Sequence, residues 1–406
     1  MQPDRVELGL ERILRVASHA GIDQPEFRIL TVAGTNGKGS TVAYAASILR
    51  HMGKSVGVYT SPHFIDFNER IVIDDRRVSD ASLCAAFAHI DDCRGETELT
   101  YFEFTTLAAM LCFAESAVDI AVLEVGLGGR LDAVNAWDSD AACITSIGID
   151  HTDWLGHDRE SIAREKVGVA RRGCALVCGD YDPPAIIRSF ATEIGAKPLF
   201  AGHDFSVSRD EDTWRYTGPQ GRTQLPAPAI QAQWAIDNAA VAICLCGEVL
   251  GEMPTQSALQ AAMKEVLIAG RMQHFEYRGL PLLLDVAHNA AAARLLADYL
   301  QQHQVDGQTC AVFSCMQDKD PGAVIEALAG TIDQWFIGQI DYPRAFDASE
   351  LASLLKNESS ADTKVFASVI QAFEAAVAQS GVGSRVVVFG SFHVVGPVLD
   401  MLKASQ

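Results

Sequence analysis

The stretch Thr31-Val-Ala-Gly-Thr-Asn-Gly-Lys-Gly-Ser-Thr41 decides how the rest of the chain is read. The apolar run Phe27–Ala33 predicts a β-strand, and Ser40–Met52 has the pattern of the helix after it. Between them, Gly34, Gly37 and Gly39 let the backbone turn tightly enough to aim its N–H groups at one point. Lys38 adds a full positive charge there, and the helix start adds its dipole. Such a point attracts phosphate. The general pattern is G-x-x-x-x-G-K-[ST]; here the glycines stand closer and Gly39 separates Lys38 from Ser40, so the loop is a variant.

Working outward, β-rich runs alternate with helical ones. Strands are expected at Ser55–Thr60, Val118–Glu124 and Ala141–Ile147, and helices at Leu99–Glu115 and Ser161–Arg172, the latter ended by Gly173. Alternation of this kind implies a mostly parallel sheet covered by helices. The polar stretch Gly202–Gln224 reads as a peripheral hairpin, and Gln233–Leu250 as a long Ala-rich helix. Near Ala269-Gly270-Arg271 a second β/α series begins. Its strands are expected at Leu282–Val286, Cys310–Ser314, Trp335–Ile340 and Arg385–Phe389, its helices at Ala290–Gln302, Gly322–Ala329 and Val369–Gln379. The expected organisation is therefore α/β throughout. A phosphate-loop domain with a mostly parallel sheet spans 1–270, and a smaller Rossmann-like α/β domain spans 271–406.

Composition narrows the function. The 406 residues are 49% hydrophobic and 21% charged, with a formal net charge of −20. That balance disfavours nucleic acid and anionic membranes as partners. Any bound anion must then be held by local devices: backbone N–H groups, a few placed cations and metal ions. No apolar run reads as a bilayer-spanning helix, and the amino terminus lacks a secretory pattern, so a cytoplasmic chain is expected, and separately a monomer. None of the ten cysteines forms a C-x-x-C pair, and all ten are read as small buried hydrophobes.

Further motifs follow the loop in order: Val58-Tyr-Thr-Ser-Pro-His-Phe, Asn68-Glu-Arg70, Leu123-Glu-Val-Gly-Leu-Gly-Gly-Arg-Leu-Asp132, Asp150-His-Thr-Asp153, Arg164-Glu-Lys-Val-Gly168, Asp285-Val-Ala-His-Asn289 and Gly390-Ser-Phe-His393. In this order the set resembles the folylpolyglutamate synthase/dihydrofolate synthase family of the Mur-ligase superfamily, over residues 4–396. Members of the family typically carry another short helix before the segment that is Val6–Arg12 here. The chain also has Ala290 where the family usually has Pro, and Ala269-Gly-Arg where Pro-Gly-Arg is common; both put loop rigidity in question.

The resemblance implies an ATP- and Mg²⁺-dependent ligase of folate biosynthesis and one-carbon metabolism. It would join L-glutamate to dihydropteroate and to reduced folates through an acyl phosphate. Thr35, Asn36, Gly37, Lys38, Gly39 and Ser40 would hold the nucleotide phosphates, Asn238 the adenine, Arg271 the phosphates and Asp285 the ribose. His288 would lie near the γ-phosphate. Two Mg²⁺ ions are implied, with Ser61, Glu124, His151 and a carbamylated Lys166 as ligands. On residues alone, Ser61, Glu124 and His151 fall at predicted strand ends, on the sheet edge where ligands of doubly wound folds bind. His151 by itself would be a turn-capping residue, and Lys166 by itself a solvated helix lysine. A lysine of ordinary pKa has only about one molecule in a few thousand neutral at pH 7, so carbamylation needs that pKa depressed by burial.

For the acid, the resemblance implies a pocket bordered by Arg5, Val6, Glu7 and Leu8, by Thr100, Tyr101, Phe102 and Glu103, and by Leu131, Asp132 and Ala133. Asp132 would bond the pterin N–H groups. By pattern alone, Thr100–Phe104 reads equally as a heterocycle site or as core packing at a helix start. His393 has no assigned role. Three alternatives stay open: a peptidoglycan-type Mur ligase, a folylpolyglutamate synthase lacking dihydropteroate activity, and a nucleotide-binding module without chemistry.

Overall fold

The structure, a computed structural model, describes residues 7–210, 212–230, 232–358 and 361–404. The chain divides into two compact units, 1–266 and 267–406. In the first, β1 (Arg28–Ala33), β2 (Val56–Tyr59), β3 (Ile71–Ile73), β4 (Arg76–Arg77), β5 (Ile120–Glu124), β6 (Ala141–Ile144), β7 (Ala175–Cys178) and β8 (Lys197–Phe200) form one sheet in the order β4-β3-β2-β5-β1-β6-β7-β8. The run β2-β5-β1-β6-β7-β8 is parallel; β3 and β4 add an antiparallel edge. β5, β6 and β7 are buried along their whole length and β1 everywhere except Arg28, which is why these strands read as continuous apolar runs rather than alternating ones.

The helices of this unit are α1 (Glu11–His19), α2 (Lys38–His51), α3 (Asp80–Arg94), α4 (Tyr101–Glu115), α5 (Thr152–Leu155), α6 (Arg159–Val167), α7 (Ala185–Ile194), α8 (Gln233–Leu250) and α9 (Gln256–Glu265). One core joins α1, α3 and α4 to the sheet through residues such as Ile13, Leu107, Phe113 and Trp137. The Trp137 indole N–H donates to the Ile22 carbonyl at 2.7 Å, so its one polar atom is satisfied in that core. The stretch expected to be a hairpin is a three-stranded antiparallel sheet, β9 (Ser206–Arg209), β10 (Thr213–Gly218) and β11 (Gly221–Pro226). Helix α6 is shorter than expected and ends at Gly168, not Gly173.

The second unit has β12 (Gln273–Tyr277), β13 (Leu280–Asp285), β14 (Thr309–Phe313), β15 (Gln334–Gly338), β16 (Asp362–Phe366) and β17 (Arg385–Phe389) in the order β12-β13-β17-β14-β15-β16, parallel except for β12. Its helices are α10 (Ala290–Gln302), α11 (Pro321–Ala327), α12 (Ala348–Glu358), α13 (Val369–Gln379) and α14 (Phe392–Ala404). Ala290 starts α10, and the Asn289 side chain caps it by accepting from the Ala292 N–H at 2.9 Å. The first helical N–H needs no intrahelical partner, so Ala serves where the family usually has Pro.

Two expectations are corrected. Helix α8 is long and apolar enough, by length and composition, to cross a membrane; 72% of it is buried inside the protein, as a core helix is. All ten cysteines are free, but Cys84 is exposed and Cys93 and Cys174 are only partly buried, because each lies on an outward face or in a connection rather than in a central element.

Gly57 in β2 exists because Phe113 of α4 lies against it: an added Cβ would sit 2.5 Å from the ring. Gly57→Ala should therefore destabilise the protein by about 1–3 kcal/mol through overpacking, read as a lower denaturant midpoint at unchanged m-value.

Candidate active site

Strand β1 ends at Ala33, in register with Ile144 of β6, and Val32 pairs with Glu124 of β5. The carboxyl ends of three adjacent strands thus deliver the glycine loop, a carboxylate and the segment 145–151 to one edge. The loop is strapped to that segment. The Thr35 N–H donates to the Ser146 carbonyl at 2.8 Å, its hydroxyl and Gly148 exchange hydrogen bonds, and the Thr145 and Ser146 hydroxyls both donate to the Asn36 carbonyl. Gly34, at φ +145°, leaves no room for a side chain against Thr145. Gly37, at φ +89°, is the residue before α2, and a Cβ there would lie 2.5 Å from the Asn238 amide oxygen. Asn238 of α8 therefore packs on the loop itself, a neighbour that the adenine role did not anticipate. Ser40 and Thr41 are buried in the first turn of α2.

The centre of the loop gathers cations. The Lys38 ammonium donates to the Gly34 and Thr35 carbonyls at 3.2 and 3.3 Å, and the Lys166 ammonium donates to the same Gly34 carbonyl at 3.0 Å. Lys166 is 5% exposed, so it is no solvated helix lysine. Burial pushes its pKa down to about 7, and the neighbouring Lys38 charge adds to the fall. Opposite stands Glu124, also buried, which accepts from the Ser61 N–H at 3.3 Å. A Cβ on Gly39 would come to 3.7 Å from its carboxylate, an ordinary contact distance, so Glu124 lies beside the loop. His151 is the residue before the short helix α5, seven past the end of β6 and in the left-handed conformation (φ +52°), held there as its N–H donates to the Asp150 side chain at 2.9 Å. It lies farther from its strand than expected, because β6 stops at Ile144 rather than Ile147.

The glycines of the Leu123–Asp132 motif have a mechanical purpose. A Cβ on Gly129 would meet the Glu165 and Lys166 carbonyls at 2.9 Å, so this loop rests directly on the backbone of α6 and fixes the height of Lys166. The Arg130 N–H donates to the Glu165 carbonyl, and its guanidinium pairs with the Glu165 side chain at 3.0 Å. Asp132 holds the loop from within, accepting from the N–H groups of Leu127 and Val134 at 2.8 and 3.0 Å. Burial pushes its pKa up to about 6, against those hydrogen bonds. Between half-buried Leu131 and buried Ala133, Asp132 is thus first a clasp.

Thr100 and Glu103 form a capping box at the start of α4: the Thr100 N–H donates to Glu103 at 2.7 Å, and the Glu103 N–H to the Thr100 hydroxyl at 3.2 Å. The spacing Thr-x-x-Glu announces this device, and the sequence reading passed over it. Glu103 also accepts from Arg12, which pairs with Glu7 at 2.8 Å and so ties the segment before α1 to α4. The Phe102 ring packs on Gly126 and near Tyr59, while Tyr101 and Leu8 are half-buried. Arg5 and Val6 lie outside the described residues.

In the second unit, Asp285 ends β13 and clamps a turn, accepting from the N–H groups of Met272 and Ala287 at 2.8 and 2.7 Å. Burial raises its pKa, opposed by Arg271. The His288 ring N–H at Nδ1 donates to the Val286 carbonyl at 2.8 Å, which fixes the orientation of the ring. His393 stacks on Tyr342 at 4.6 Å.

The phosphate loop lies on one α/β unit and a second α/β unit follows it, and the family comparisons assign this plan to a ligase class, the Mur ligases. The Mur ligase middle domain matches residues 32–245, and the Mur ligase glutamate ligase domain matches 270–392. The dihydrofolate synthase/folylpolyglutamate synthase of Escherichia coli K12 is 37% identical over 99% of this chain and 93% of its own length, and that of Bacillus subtilis 30% identical over 98% and 96%. The structure of E. coli FolC in complex with DHPP and ADP superposes with a TM-score of 0.93 at 36% identity, covering 100% of this chain and 95% of that one. A bifunctional folylpolyglutamate synthase/dihydrofolate synthase with Mn, AMPPNP and L-glutamate bound gives 0.91 at 39% identity, covering 98% and 95%. The chain belongs to the dihydrofolate synthase/folylpolyglutamate synthase family of the Mur ligases. Neither a peptidoglycan-type ligase nor a module without chemistry is favoured by these matches.

The depressed pKa of Lys166 has a measurable consequence. Below about pH 7 both folded and unfolded chains hold its proton, and the folded chain carries the full cost of a buried ammonium. Between about pH 7 and 10.5 the folded chain has released a proton that the unfolded chain keeps, so stability rises with pH. Lys166→Met should therefore raise the melting temperature of the ligand-free protein at neutral pH and below, and the gain should shrink towards pH 10. A gain that does not change with pH would mean the ammonium is not penalised.

Proposed function

We propose that the chain uses ATP to join L-glutamate to dihydropteroate, and to reduced folates that already carry glutamate, acting as a cytoplasmic monomer. The observation that carries this reading is the pair of ammonium groups, Lys38 and Lys166, directed at one carbonyl of the glycine loop beside the Glu124 carboxylate. That arrangement suits a polyanion, and the chain's relatives are named for this reaction.

In the proposed reaction the γ-phosphoryl group of ATP passes to a carboxylate oxygen of the acid, and ADP leaves. The glutamate amine then attacks the acyl carbon, the carbon–oxygen bond to phosphate breaks, and the amine loses a proton as the amide forms. Lys38 and the N–H groups of residues 35–40 neutralise and orient the phosphates, so the protein's share is position and charge rather than covalent chemistry. Arg271, Asp285 and His288 carry the remaining nucleotide roles.

The donor set fits divalent metal. Ser61 and Glu124 would hold one Mg²⁺, and His151 and a carbamylated Lys166 a second. Among the described residues no three His, Cys, Asp or Glu side chains gather into a group that could hold a metal ion, so phosphate and water oxygens would have to complete each shell. When bound, the ions would neutralise the developing phosphate charge. With a pKa near 7, about half of Lys166 is neutral amine at neutral pH, against one in a few thousand for an ordinary lysine. That supports carbamylation.

Because each oxygen of Asp132 already bonds its own loop, Asp132→Ala should slow both acids together, rather than the dihydropteroate reaction alone. Purified protein should release ADP with either acid only when L-glutamate is present. Glu124→Gln should abolish that release while shifting the melting temperature little or upward, since it removes a buried carboxylate kept for metal. Glutamate-independent ADP release, or activity that survives the Glu124 change, would contradict the reading.

A further inference from the structure

Arg70 ends the single helical turn Phe67–Arg70, in the Asn68-Glu-Arg70 motif that the functional reading leaves without a role. Its carbonyl accepts from the Thr60 N–H at 3.0 Å, one residue before Ser61, which itself donates to Glu124. The backbone of Arg70 is thereby pinned to the carboxyl edge of β2. Its side chain is 8% exposed, and its guanidinium lies 5.6 Å from the centre of the Phe67 ring and 5.5 Å from that of Tyr101. Tyr101 belongs to the Thr100–Glu103 segment that the family resemblance implies for the acid pocket.

What the guanidinium lacks is a counter-ion. Its Nε–H donates to His63 Nδ1 at 2.8 Å, which makes that nitrogen an acceptor and leaves the imidazole uncharged in this contact. Among the described residues no carboxylate forms an ion pair with Arg70. The nearby acids are engaged elsewhere: Asp66 and Glu69 pair with Arg77, and Glu69 also accepts from the Phe64 N–H. A buried cation without an anion is costly, and two aromatic faces offset only part of that cost. The Nη edge of the fork presents two parallel N–H donors, the geometry that a carboxylate accepts bidentately.

The two proposed acids differ in one relevant way. Dihydropteroate has a single carboxylate, and it is consumed in the reaction. A folate that already bears glutamate ends in two; one reacts and the other remains as a charge that the site must neutralise. We propose that Arg70 receives the non-reacting carboxylate of the glutamate-bearing acid, between the rings of Phe67 and Tyr101. This rests on the two-acid reading above and adds a specificity-determining residue to it.

The test is steady-state kinetics of wild type, Arg70→Gln and Arg70→Lys with dihydropteroate and with a reduced monoglutamyl folate, at saturating ATP and glutamate. Losing one charge-assisted fork should raise KM for the folate roughly 10- to 100-fold in Arg70→Gln. Arg70→Lys, which keeps the charge but not the fork, should fall between. KM for dihydropteroate should move by less than about threefold, within the scatter expected for a lost packing contact. A second arm needs no variant: a folate whose non-reacting carboxylate is a carboxamide should bind wild type as poorly as the acid binds Arg70→Gln, and Arg70→Gln should not distinguish acid from amide. Equal losses on both acids would overturn the inference in favour of a purely structural arginine, as would a wild type indifferent to the amide. A wild type that turns over no glutamate-bearing folate would overturn the two-acid reading itself.

Discussion

Two lysine side chains, half-buried Lys38 from the glycine loop and buried Lys166 from α6, share the Gly34 carbonyl. The Lys38 charge works with burial to disfavour the protonated form of Lys166, while Asp150 and Asp132 offset part of that effect. The repulsion between the two lysines falls when an anion enters or when Lys166 loses its proton. The site is therefore charged for its ligand before the ligand arrives. A protein with a net charge of −20 can hold polyanionic substrates because its cations are concentrated where backbone N–H groups converge.

Glycine is what places those charges to within a fraction of an ångström. Gly34 abuts Thr145, Gly37 abuts Asn238, Gly39 faces Glu124, and Gly129 rests on the carbonyls of Glu165 and Lys166. At Gly34, Gly37 and Gly129 an added Cβ would clash with the element behind, so these loops lie directly on their neighbours. The cost is borne elsewhere, by buried carboxylates such as Asp132 and Asp285 that give their oxygens to loop N–H groups.

Much of this was legible in the sequence. The parallel strands announced themselves as uninterrupted apolar runs, and the ranges of α8, α10, α13 and β17 agree with their patterns to the residue. The glycine loop and Glu124 could be placed on one edge because strand ends are readable from composition. Other features depended on distance along the chain. That Asn238 lies on Gly37, or that Gly129 supports Lys166, is a contact between residues with no shared periodicity. The end of α6 was misjudged because Arg171 and Arg172 extend a helical pattern that the packing of Gly168 against Arg130 cuts short. The Thr100–Glu103 carboxylate was weighed as a ligand when its spacing already described a helix cap. Arg70 stands within the Asn68-Glu-Arg70 motif, but its lack of a counter-ion depends on how Arg77 engages Asp66 and Glu69.

Lys166 is a buried amine whose pKa is pushed down to about 7, and its proposed role is to become a carbamate and so a metal-binding anion. ¹³C NMR of the protein equilibrated with ¹³C-bicarbonate, ATP analogue and Mg²⁺ reads that directly. The account predicts one carbamate resonance in the wild type that is absent from Lys166→Ala, together with loss of turnover in that variant. No carbamate at Lys166, in a protein that retains full glutamate-dependent turnover, would contradict it.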